Sequence, residues 1–99
     1  MKLLTKALER RFAQIGCQES AGEDALIICK FFTPWSNWTW YATEYNAETR
    51  TFFGYVEGHF PEWGYFSLDE LEMVKGPLGL KIERDLHFRE KRVREVIME

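Results

Sequence analysis

Leu4, Leu8, Phe12 and Ile15 recur at helical spacing with Lys6, Glu9, Arg10 and Gln14 between them. The chain therefore opens with an amphipathic helix, which Thr5 is placed to cap and Gly16 to end. The polar stretch "QESAGED", residues 18 to 24, reads as the first loop. The period then falls to two: "ALIICKFFT", "WTWYATEY", "TFFGYV" and "WGYF" are rich in aromatic and β-branched residues and are separated by "PWSN", "NAETR" and "EGHFPE". Such short, turn-rich separators predict an antiparallel meander, because a parallel crossover needs a dozen or more residues. Ser67 and Glu70 then form a capping box ahead of Leu68, Leu71 and Val74, and Gly76 and Pro77 stop that second helix. "GLKIERD" reads as a fifth strand, and Val93, Val96 and Ile97 mark a closing helix. The expectation is an α+β fold in the order α-β-β-β-β-α-β-α, with a curved meander of four strands plus a fifth.

Register assigns the faces of that sheet, since side chains alternate along a strand. With Pro34 to Asn37 as the first hairpin loop, Thr33 pairs with Trp38, Phe31 with Trp40 and Cys29 with Ala42. With Asn46 to Thr49 as the second, Ala42 faces Phe53 and Trp40 faces Tyr55. One face then carries Ile27, Cys29, Phe31, Trp38, Trp40, Ala42, Phe53 and Tyr55 and is the expected core. The other carries Lys30, Phe32, Tyr41, Tyr45, Arg50, Phe52 and Val56, a mixture of rings and cations that either lies under a helix or binds something. Lys30 falls within cation–π reach of Tyr41 on that face. Trp35 stands apart in the loop, where Pro34 favours a type I turn, and it either folds back over the core edge or is displayed as a contact residue. Phe53-Gly54-Tyr55-Val56 and Trp63-Gly64-Tyr65-Phe66 repeat an aromatic-Gly-Tyr pattern, read as a shared glycine bend that curls two neighbouring strands.

Ninety-nine residues with 45% hydrophobic and 16% aromatic content suit one domain spanning 1–99. No apolar run approaches the roughly 20 residues of a membrane span, and the opening segment is too charged for an export signal. A cytoplasmic setting follows, in which Cys17 and Cys29 stay reduced, Cys29 as a buried apolar residue and Cys17 as a loop thiol. The net charge of -3 opposes non-specific binding to duplex DNA. The basic tail "REKRVREVIME" has the look of a solvated helix face.

Chemistry-bearing motifs are sparse. His59 and His87 are the only histidines; His59 and Glu62 are spaced to supply two metal ligands from one loop, short of the three or four a metal centre needs, and no cofactor signature is present. Glu62, Glu83, Asp85 and His87 are weak candidates for a general-acid or metal-assisted site, provided they converge in a cleft. The competing expectation is an ion-pair network in which Arg84 bridges carboxylates such as Glu44, Glu62 or Asp69. The balance leans away from an enzyme.

The segments "KFFTPWSNWTWYATEYN", "FFGYVEG", "GYFSLDELE" and "GPLGLKIERDLHF" resemble the bacterial domain of unknown function family 2958 over nearly the whole chain. That resemblance implies a small single-domain product of plasmids, integrated elements or defence-associated loci, with an accessory role, and brings no catalytic residues with it. The leading expectation is a non-enzymatic module that binds a protein partner through Lys30, Trp35, Tyr41, Tyr45, Arg50 and Arg84. Single-stranded nucleic-acid binding and a metal-assisted hydrolase are the alternatives.

Overall fold

The computed structural model describes residues 1–99. Helix α1, Lys6–Ile15, begins where Thr5 Oγ1 accepts the Leu8 N–H at 3.2 Å, and ends where Gly16, at φ 69°, returns its N–H to the Phe12 carbonyl. A six-residue 3-10 segment, Glu19–Asp24, kinked at Gly22, follows, and then the strands: β1 Leu26–Ile27, β2 Cys29–Phe32, β3 Thr39–Asn46, β4 Thr51–Glu57 and β5 Pro61–Ser67. Helix α2, Leu68–Met73, starts at the Ser67 cap as its sequence predicts. Strands β6 Glu83–Arg84 and β7 Lys91–Arg92 and helix α3 Val93–Ile97 complete the chain. All pairings are antiparallel, and the main sheet runs β5-β4-β3-β2-β6. The predicted α+β architecture is the observed one.

Two features depart from simple alternation. The first apolar run does not form one strand. Ile28 and Cys29 both turn toward the core that α1 covers, whereas Ile27 turns to the opposite side, so β1 leaves the main sheet and pairs with β7. The Ile28 N–H donates to the Ala42 carbonyl at 2.8 Å, which keeps the broken run anchored to β3.

The second feature is a bulge at Thr43. The first hairpin has the expected register, Cys29 opposite Ala42 and Phe31 opposite Trp40. The second hairpin turns later than expected: Asn46 pairs with Thr51, its Oδ1 accepts the Glu48 and Thr49 N–H groups, and Arg50 closes the loop at φ 53°. Glu44 therefore lies opposite Phe53, while Ala42 lies opposite Gly54, with Thr43 as the additional residue between them. This extra residue reverses the alternation. Phe53 and Tyr55, expected beside Trp40 and Ala42, sit on the other side, and Phe52 instead joins Phe31 in the main core at a ring separation of 5.2 Å.

Several groups hold the bulge. Thr43 is buried and donates its hydroxyl to the Phe53 carbonyl at 3.1 Å. The Gln18 amide donates to the carbonyls of Thr43 and Leu26, each at 2.8 Å, and its oxygen accepts the Leu26 N–H at 2.7 Å. Gly54 lies under the bulged strand: a Cβ there would sit 1.9 Å from the Tyr41 carbonyl oxygen. Only glycine fits this approach.

The sheet consequently has a core on each side. Leu3, Leu4, Phe12, Phe31, Phe52 and Leu71 fill the side facing the two longer helices. Ala25, Ile27, Tyr41, Tyr55, Val93 and Val96 fill the other, where α3 lies over Tyr41. Of the two readings of the Tyr41 face, cover by a helix is the one the structure has there.

Gly54→Ala is expected to lower the unfolding free energy by at least ~2 kcal/mol, because backbone must move to admit the methyl group. Gly64→Ala, with nothing within 4 Å of the added carbon, should stay within ~0.5 kcal/mol of the parent. Urea denaturation of the two variants checks the contrast. Gln18→Ala strands three backbone groups and should cost about 2 kcal/mol in the same measurement.

Candidate functional site

The six residues expected to form a binding surface do not share one. Lys30 lies 3.6 Å from the Asp85 carboxylate and 5.7 Å from the centroid of the Tyr41 ring, and Tyr41 is only 6% exposed. Trp35 folds back over the core edge, its indole lying on the Gly76 backbone so closely that a Cβ there would be 2.5 Å from the ring. Tyr45 packs on Phe52 at 4.9 Å and on Phe12 at 6.0 Å. Arg50 is exposed and pairs with Asp69 and Glu72 at 2.9 and 3.4 Å. Arg84 does not bridge Glu44, Glu62 or Asp69. Its guanidinium donates to the carbonyls of Lys2 and Leu3, because Leu3 and Leu4 are buried in the core and bring that backbone to the β6 edge.

The weak acid–base candidates are partly brought together. Glu83, Asp85 and His87 line one open cleft of about 500 Å³ with Lys30, Arg84 and Trp38. The His87 N–H donates to Asp85 Oδ1 at 2.9 Å, Asp85 also neutralises Lys30, and the Thr33 and Ser36 hydroxyls bond to each other. Glu62 lies on β5, at the opposite edge of the sheet from Glu83 on β6. No three His, Cys, Asp or Glu side chains are grouped to hold a metal ion. The arrangement is an ion-paired sheet end.

A different constellation stands out on the face opposite α1. A line of rings runs from Phe88 to Tyr41, Tyr55, Trp63, Phe53 and Tyr65, with successive centroids 6.3, 6.4, 5.5, 6.1 and 4.9 Å apart. The first half lies beneath α3 and its flanking chain. The second half emerges: Trp63 is 38% and Tyr65 79% exposed. Both belong to β5, the edge strand, which has no neighbour on its outer side. Beside Tyr65 and Phe53 an open groove of about 850 Å³ extends toward α1 and carries Glu44 and Glu48 but no cation.

Charge is distributed unevenly around this stripe. Between Lys30 and Lys75 the only basic side chain is Arg50, against Glu44, Glu48, Glu57, Glu62, Asp69, Glu70 and Glu72. The β4–β5 hairpin that carries the exposed rings is thus acidic, and Arg50 at its base is already paired with Asp69 and Glu72. Sequence reasoning missed Trp63 and Tyr65 because their repeat was read as a packing device. The signal was available: they share one face by alternation, and β5 closes the meander, which makes it an edge.

Burial pushes the Cys29 thiol up to about 12, and raises the Tyr41, Tyr45 and Tyr55 phenols above their ordinary range, with the Glu57 carboxylate adding to the effect at Tyr41 and Tyr55. These groups keep their protons in the folded chain while the unfolded chain releases them near 9.0 for the thiol and 10.0 for the phenols. Their contribution to stability is complete below pH 9 and is lost as pH rises beyond it. The urea midpoint should therefore fall steadily above pH 9, and a level midpoint there contradicts the burial argument. In the native protein iodoacetamide should label the exposed Cys17 alone, with Cys29 reacting only after unfolding.

No helix is long and apolar enough to cross a membrane. No curated protein and no solved structure matches the chain. The profile described as "Protein of unknown function (DUF2958)" matches residues 3–96, and the chain belongs to that family.

Proposed function

We propose that the chain is a non-enzymatic accessory module that binds a protein partner, and that it does so through β5 and the open half of the aromatic stripe. One observation carries this reading: contiguous rings, Trp63 stacked on Phe53 and Tyr65 edge-on to it, emerge from the core onto a strand edge that the fold leaves unpaired. Large exposed rings at a strand edge are unfavourable in an isolated protein and favourable at an interface, where tyrosine and tryptophan dominate binding energy. The polar cleft offers less, since Lys30, Asp85 and Arg84 already bind groups of the same chain. Stacking on single-stranded nucleic acid would use similar rings, but phosphates would meet carboxylates rather than cations on the β4–β5 hairpin.

The test places a photo-crosslinking phenylalanine derivative at position 65 and, separately, at position 86, because Leu86 is also exposed but lies near the opposite sheet edge. Expressed in the native host, the position 65 variant should give a discrete protein adduct that is absent from the position 86 variant. Equal adducts from both positions, or none from position 65, would sink the reading; an oligonucleotide adduct would replace it with base stacking.

A further inference from the structure

We infer that the segment received at this surface is an extended strand rich in arginine or lysine, which lengthens the main sheet by pairing with β5. The inference rests on the proposed binding role of β5 and specifies the partner's chemistry and mode of attachment.

The backbone argument comes from the contrast between the two edges. At one edge the sheet ends in β6, only two residues long, and the chain near it is fastened by Arg84. At the other, β5 offers seven residues in continuous register with β4 and without a bulge. Natural edge strands are usually blunted by lysines, bulges, internal prolines or covering segments. β5 has no lysine or arginine, and its only proline is its first residue, where the outer edge is least affected. Its outward N–H and C=O groups are therefore a template for strand addition.

The side-chain argument sets the charge of the added strand. Alternation puts Trp63 and Tyr65 on one face, and the residues of an incoming strand opposite them fall within contact of the rings. Residues 51–67, the β4–β5 hairpin, include Glu57 and Glu62 but no lysine or arginine, and Glu44 and Glu48 line the groove alongside. Arginine or lysine at alternate positions would lie over Trp63 and Tyr65 as cation–π partners on the face that Glu57 shares by alternation, beside the groove that Glu44 and Glu48 line, whereas Glu62 points to the other face of β5. A second copy pairing β5 to β5 would bring two acidic hairpins together, so like-charge repulsion disfavours it. Gly64, with open space above it, presents no side chain to obstruct either arrangement.

The experiment is an NMR titration of the isotopically labelled full chain with end-blocked octapeptides of alternating valine and arginine, valine and glutamine, or valine and glutamate. The arginine peptide should shift the Glu62–Ser67 amide signals, with affinity falling at least about tenfold from low to about 500 mM salt. Its analogue N-methylated on one backbone edge should fail to bind through that edge. Trp63→Ala and Glu48→Lys should each weaken binding about tenfold while leaving the signals of the Phe31 and Phe52 core in place. If the glutamine or glutamate peptide shifts the same amides equally well, β5 remains a docking strand and the basic partner is overturned. If sedimentation shows a dimer and the free chain already protects the β5 amides, a second copy is the occupant and the inference also fails. If no peptide reaches β5 and its amides stay exchangeable in a monomer, both the inference and the binding role of β5 fall.

Discussion

The additional residue at Thr43 is the constraint on which the two faces of the sheet depend. In an unbroken β3 the residues beside Phe31 on one strand would continue to Glu44, and a carboxylate would enter the core between Phe12 and Phe52. The bulge changes the alternation between Ala42 and Glu44, so that Ala42 and Tyr45 both reach the core and Glu44 turns outward to accept the Gln18 N–H. The same displacement carries Phe53 to the outer face beside Trp63 and Tyr65. Core composition and the open aromatic stripe are thus two results of one backbone irregularity. Gln18 and Gly54 are its supports, one by hydrogen bonding and the other by having no side chain.

From this arrangement follows an asymmetry along the sheet. Toward β2 and β6 the cations and carboxylates satisfy one another or bind main-chain carbonyls, as Lys30 does with Asp85 and Arg84 with Leu3. Along the β4–β5 hairpin, residues 51–67, there are carboxylates and no lysine or arginine, Arg50 at its base being paired with Asp69 and Glu72, and there are rings without a covering helix. Helix α3 is too short, at five residues, to extend from Tyr41 over Trp63 and Tyr65. The covered and open halves of the stripe are chemically alike; what separates them is the length of α3.

Local chemistry accounts for the parts of the fold that were legible in advance. Thr5 and Ser67 cap their helices through contacts three residues away, and the Pro34 turn sets the pairing of Phe31 with Trp40, so short-range patterns suffice. Trp35 kept two readings because a loop indole can fold back or project, and only the arrival of Gly76 from beyond α2 decides between them. Lys30 and Tyr41 were correctly placed next to each other, yet the burial of Tyr41 depends on Val93 and Val96, more than fifty residues later. The expected role of Arg84 changed for a similar reason: its partners are carbonyls at the opposite end of the chain, and backbone acceptors leave no mark in a sequence pattern.

By itself, then, the amino-acid sequence determined the α+β class, the places of the three helices, the antiparallel meander, the helix caps and the family, because each rests on residues that are neighbours or nearly so, whereas the split of the first run into β1 and β2 and the pairing of β7 do not. Gly54 marked a bend between neighbouring strands, though not the close approach of the Tyr41 carbonyl that the fold makes there. Tertiary structure decided the bulge, the division into two cores and the exposure of Trp63 and Tyr65. Those depend on which distant segments cover which face, and an insertion of one residue in a strand is enough to exchange the faces without changing the local pattern that predicts the strand.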